Sequence, residues 1–367
     1  MENRILCLVN AALMMIMLVP LSDSAQAQNV SSTPVFFVFG DSLVDPGNNN
    51  YITTLAKANF PPNGIDFPLG ATGRFCNGRT VADVISQKVG VPYVPAYLNP
   101  NTQGFAILGG VNYASAAGGI LDATGANYGG RISMNRQIQQ FQNTQQQFIQ
   151  QLGSQAANQV FAKALYFFVM GSNDYINNYL QPRSRSSASY NPKAFEALLV
   201  REYSQQLVRL YNLGARKFGV FNVGPLGCIP SQLNTRRSPD GKCIKFINEY
   251  VKGFNAALNN ELSALRVRLP NATFIYGKAY DLVVARVNFP AKFGLTVVNE
   301  GCCGIGRYKG AVACVSGFQP CANREEYLFW DPFHPTDAVN EQLGNAFYSG
   351  GSSAIIPMNI KQLIAAP

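Results

Sequence analysis

Four short apolar runs stand out along the chain: Val35–Phe39, Leu165–Met170, Phe218–Val223 and Thr273–Tyr276. They are strand-length and rich in aromatic and β-branched residues, which suit a pleated, buried surface. Between them lie longer stretches with apolar residues at three- and four-residue intervals. Ile132–Leu152 places Ile138, Phe141, Phe148 and Leu152 on one face, and Phe195–Leu213 and Ile244–Leu269 follow the same rule. Gln137–Gln151 is rich in Gln, but its apolar spacing argues helix rather than disorder. Strands alternating with helices predict an α/β fold with a mostly parallel central sheet covered on both faces, a three-layer α/β/α arrangement.

In such a sheet, ligands bind beyond the carboxyl ends of the strands. Val38-Phe39 runs into Gly40-Asp41-Ser42, and Val169-Met170 into Gly171-Ser172-Asn173-Asp174. Phe221-Asn222-Val223 runs into Gly224-Pro225-Leu226-Gly227. Polar, glycine-punctuated turns therefore collect on one rim, where an active site is expected.

The N-terminus changes the picture of where the chain works. Arg4, the mostly apolar run Ile5–Leu21 and Ala25-Gln26-Ala27 read as a secretory leader, residues 1–27. The run is short for a spanning helix, which needs about 20 apolar residues. The expectation is a secreted, extracellular or cell-wall protein with no transmembrane anchor after cleavage. No internal repeat or linker divides the rest, so 28–367 reads as one domain. The formal net charge is +9, with bases scattered apart from the pairs Arg183/Arg185 and Arg236/Arg237. Nucleic-acid binding would want a concentrated basic patch. Weak association with acidic cell-wall polysaccharide is the partner this charge allows. Of eight cysteines, Cys7 lies in the leader. Cys228 and Cys243 flank a polar loop and can staple it, Cys302, Cys303, Cys314 and Cys321 are expected to form two bridges, and Cys76 is left as the free thiol. Asn29 and Asn271 match the glycosylation pattern, the second at an expected helix-to-strand connection and so exposed.

Candidate chemistry starts from a single histidine, His334, in Asp331-Pro332-Phe333-His334-Pro335. Histidine is the side chain best suited to moving protons near neutral pH. Asp331, three residues earlier across a Pro-restricted turn, is placed to orient it. Ser42 at a strand tip is where a nucleophile belongs, although a serine there also serves as a helix cap. Together they make a Ser-Asp-His triad. Acyl transfer also needs fixed N–H donors for the oxyanion. Ser42 offers its own N–H and Asn173 a side-chain amide. In Asn112-Tyr113-Ala114-Ser115-Ala116-Ala117-Gly118-Gly119-Ile120, Gly119 or Gly118 offers a backbone N–H. One histidine and no acidic cluster argue against a catalytic metal, and no dinucleotide or Walker A motif is present, so no cofactor is expected.

These segments, with Phe39–Asn50 and Thr72-Gly73-Arg74-Phe75-Cys76-Asn77-Gly78-Arg79, make the chain resemble the secreted plant branch of the GDSL esterase/lipase family, the SGNH hydrolases. The resemblance runs from about Val35 to Phe347. It implies a flavodoxin-like fold and a cofactor-independent hydrolase of small-molecule or lipid esters. It implies Ser42 as nucleophile, His334 as base and then acid, and Asp331 behind it. Ser42 N–H, Gly119 N–H (Gly118 as the alternative) and Asn173 would form the oxyanion hole. Many relatives carry Gly directly after the second-block serine, where this chain has Ala116 and Ala117. Two rivals share this reading. One is an extracellular acyltransferase of the cutin-synthesising type, using the same acyl-enzyme. The other is a non-catalytic carbohydrate- or lipid-binding protein on the same fold.

Overall fold

Strands buried on both faces form the centre of the protein, as continuous apolar runs should. The computed structural model describes residues 34–367; the leader and Asn29 lie outside them. Strands β1 (Phe36–Gly40), β2 (Leu165–Val169), β3 (Lys217–Phe221) and β4 (Thr273–Gly277) pair in parallel in that order. Each lies within two residues of its predicted run. Strands β5 (Val297–Gly301) and β6 (Tyr327–Phe329) form a separate parallel pair, and β7 (Ile355–Ile356) adds antiparallel to β4.

One further segment completes the free edge of β1. Phe36 and Val38 donate to the carbonyls of Gly109 and Val111, and Tyr113 and Ser115 donate back to those of Val38 and Gly40. Residues 109–115 thus run parallel to β1 and deliver the Ala116–Ile120 turn beside Ser42. The apolar pattern does not predict this edge, because Asn112 breaks it. That side chain donates to the Val44 carbonyl and accepts from Ala114 N–H, serving as an internal brace.

Helices α1 (Val81–Val89), α2 (Met134–Leu152), α3 (Pro192–Asn212), α4 (Lys245–Arg268), α5 (Ala279–Asn288), α6 (Asp337–Ser349) and α7 (Ile360–Ala365) flank the sheet. Phe37 and Phe39 of β1 meet Phe141 of α2 edge-on, and α2 and α4 pack on α3. On the opposite face Phe221 of β3 meets Phe347 of α6, which packs against α1 and α7. The result is the three-layer α/β/α fold. Cys228–Cys243, Cys302–Cys321 and Cys303–Cys314 are bonded, while Cys76 is free and buried. Among the described residues no helix is long and apolar enough to cross a membrane.

Candidate active site

Ser42 sits on a sharp turn at the tip of β1. A Cβ on Gly40 would lie 2.4 Å from Val44 and 2.7 Å from the Val169 carbonyl, so only glycine lets the two strands end this close together. Asp41 Oδ1 then accepts the Leu43 N–H at 3.0 Å and closes the turn. Ser42 Oγ lies 2.7 Å from His334 Nε2. His334 Nδ1 is 2.8 Å from both oxygens of Asp331. A carboxylate can only accept, so Nδ1 carries the proton and Nε2 is free to accept from Ser42. The sequence separation across the serine–histidine contact is 292 residues.

The histidine turn is held from several sides. Asp331 Oδ1 also accepts the backbone N–H groups of Phe333 and His334, each at 2.8 Å. Trp330 N–H donates to the His334 carbonyl at 2.7 Å, and Cys303 N–H to the Trp330 carbonyl at 2.7 Å. The disulfide-bonded segment thereby anchors the turn. Phe75 packs on the imidazole with ring centroids 5.1 Å apart.

Asn173 follows β2 on a short helical turn, Ser172–Asp174, continued by a π-helical turn, Tyr175–Tyr179. Its Nδ2 donates to the Gly118 carbonyl at 2.9 Å, and its Oδ1 accepts from Asn177 Nδ2 at 2.6 Å. The amide is therefore fixed with one hydrogen on Gly118 and one left over. Asn177 lines the same cavity and is a residue that sequence reasoning missed. Its signal was present as the four-residue spacing from Asn173.

The second-block glycines lie off the cavity wall. Gly118 and Gly119 do not line the cavity that holds Ser42, His334 and Asn173; Ala116 and Ala117 do. Gly118 N–H donates to the Ser115 carbonyl, and a Cβ on Gly119 would meet Thr124 and Asp174. Ala116 N–H donates to Asp45 Oδ2 at 3.0 Å. Among the described residues nothing accepts from the N–H of Ser42, Ala117 or Gly119, and of the last two only Ala117 lines the cavity. Ala117 takes a positive φ of 64°, a conformation usually left to glycine.

Buried carboxylates brace these turns. Asp45 Oδ1 accepts from Gly47 and Asn48, and Asp174 from Ile120, Leu121 and Thr124. Desolvation pushes Asp41 up to about 7, against the pull of the Leu43 N–H and His334, and pushes Asp45 and Asp174 up to about 6. Burial likewise pushes the Cys76 thiol up, away from nucleophilic use. Among the described residues no group of three His, Cys, Asp or Glu side chains is placed to hold a metal ion. Asn271 is exposed between α4 and β4, as its sequence position predicts.

A serine, a histidine and an aspartate in one hydrogen-bonded line, on the rim of a mostly parallel sheet, is the geometry of serine-dependent hydrolases. Comparison with known proteins narrows the class. A model of the GDSL-like Lipase/Acylhydrolase family matches residues 36–347. GDSL esterase/lipase 7 of Arabidopsis thaliana is 45% identical over 368 residues, 99% of each chain. GDSL esterase/lipase At1g71691 of the same plant is 46% identical over 331 residues, 90% of this chain and 85% of its own. The chain belongs to the GDSL-like lipase/acylhydrolase family, a family of hydrolases acting on ester bonds.

Proposed function

We propose that the chain hydrolyses carboxylic esters through an acyl-enzyme on Ser42. The observation that carries this is the continuous line from Ser42 Oγ to His334 Nε2 and from Nδ1 to Asp331. Ser42 Oγ attacks the ester carbonyl as its proton passes to His334 Nε2. Asp331 holds the resulting imidazolium in place. The oxyanion is received by the N–H groups of Ser42 and Ala117 and the spare Asn173 amide hydrogen, with Ala117 taking the place first expected of Gly119. The carbonyl re-forms, the alkoxide leaves and takes the proton from His334. Water then gives a proton to His334, attacks the acyl carbon and releases the acid, and the proton returns to Ser42.

The leader pattern, the three disulfides and the exposed Asn271 support secretion and glycosylation as parts of the same reading. The net positive charge supports weak adsorption to acidic cell-wall polysaccharide.

Ser42→Ala tests the reading. It should abolish both ester turnover and covalent labelling by a phosphonate probe while the protein stays folded. Labelling of Ser42→Ala at the wild-type rate would put the nucleophile elsewhere.

A further inference from the structure

We infer that a buried apolar arm of the active-site cavity takes the acyl chain of the ester and ends at Phe221 and Phe347. This rests on the ester-hydrolase reading above. The cavity, about 260 Å³, is lined by Ser42 and His334 and also by Phe221, Val283, Leu328, Phe329, Leu343 and Phe347. All six side chains are buried and none carries a polar atom. They come from β3, α5, β6 and α6, so the arm lies between the carboxyl end of the sheet and the helices over its second face.

The polar residues along the same wall are already engaged. Asn222 donates to the Tyr276 hydroxyl at 2.9 Å and accepts from Tyr280 N–H at 2.9 Å. Asn340 donates to the Arg79 carbonyl at 2.9 Å. A polar alcohol or sugar entering the arm would lose its water and find few partners among the six apolar side chains, whereas an alkyl chain leaves water favourably. The occupant that fits is therefore the aliphatic acyl group, its carbonyl at Ser42.

The direction of α6 identifies the far end. Asn340 stands by the histidine turn: its Nδ2 and the Pro335 carbonyl both lie 3.5 Å from Cys76 Sγ. Phe347 is two turns further along the same helix face, about 10 Å away at 1.5 Å per residue. Its ring centroid is 4.5 Å from that of Phe221. Phe221 is itself fixed, packed on Phe167 at 4.3 Å and against Gly277, where a Cβ would lie 2.1 Å from its ring. The two rings form a rigid end wall that limits chain length.

The test is kcat/KM for a series of p-nitrophenyl esters from acetate to hexadecanoate, read as the dodecanoate-to-acetate ratio. Phe347→Ala lengthens the arm and should raise the ratio roughly tenfold. Val283→Phe fills the arm and should lower it by a similar factor. Thermal melts show which variants are folded, and Phe347→Leu, a milder truncation, should shift the ratio in the same direction as Phe347→Ala. Ratios unchanged in the folded variants would overturn the arm. Phosphonate labelling of the wild-type protein separates the two claims. A labelled enzyme with unchanged ratios overturns the arm alone, while an unlabelled wild type overturns the ester-hydrolase reading beneath it.

Discussion

Two neighbours leave the Asn173 amide one hydrogen for the role proposed for it. Gly118 takes the first, Asn177 fixes which end of the amide is nitrogen, and the remaining hydrogen faces the cavity. An interaction made mainly with the transition state lowers kcat when lost and moves KM little. Asn173→Ala should therefore reduce kcat by roughly 10²–10³. Asn177→Ala leaves Asn173 free to turn and should reduce kcat by roughly tenfold, again with little change in KM. The double variant should be no worse than Asn173→Ala alone, since both act through one hydrogen bond. Independent, multiplying losses in steady-state kinetics would remove Asn177 from this role. At this scale Ser42, Asn173, Asp331 and His334 could be picked out of the sequence because each stands at a strand end or turn, and the structure brings all four to one cavity. The sequence could not rank the second-block N–H groups: Ser115 and Asp45 engage those of Gly118 and Ala116, and the cavity is lined by Ala117 rather than Gly119, neither of which a local pattern shows.

The turns that carry these residues are unusual elements, braced from inside by carboxylates. Asp41, Asp45 and Asp174 are all buried, and Asp41 Oδ2 has no hydrogen-bond partner. Desolvation raises each above its ordinary value of 3.8, to about 7 for Asp41 and about 6 for the other two. The folded state thus binds protons more tightly than the unfolded one. Its stability from these groups is complete below about 4 and is lost as pH rises through 6 to 7. Melting temperature should fall between pH 5 and pH 8. Asp41→Asn keeps an acceptor for Leu43 N–H and has no charge to bury. Its melting temperature should decline less steeply and at pH 8 be at least that of wild type. A wild-type curve rising over this range, or an Asp41→Asn curve as steep as wild type, would show that burial of these carboxylates does not control stability. Elements differed in how openly the sequence announced them. β1 to β4 are apolar apart from Lys217 and Thr273 at the starts of β3 and β4, because water reaches little of either face. Helix α6 was not read, since Val339, Leu343 and Phe347 are diluted by Asn340, Gly344 and Asn345. The edge at residues 109–115 was missed because its central Asn serves the backbone.

For the whole molecule, the parallel sheet is what turns distant sequence into a site. β1, β2 and the edge segment 109–115 end on one rim and bring residues 42, 117 and 173 together, while 331–334 follow β6 of the separate β5–β6 pair and meet them there without being neighbours in the chain. The same topology makes the acyl arm invisible in sequence, since its walls come from β3, α5, β6 and α6 and share no motif. The Cys302–Cys321 and Cys303–Cys314 disulfides tie the histidine turn to this frame through Cys303 and Trp330. The central claim is that one serine, activated by the single histidine, carries the chemistry. Its most direct test is to label the folded protein with a fluorophosphonate, digest it and map the adduct by mass spectrometry. The account predicts a single adduct on Ser42, with labelling lost in His334→Ala. An adduct on another residue, or no adduct on an enzyme that still turns over esters, would contradict it.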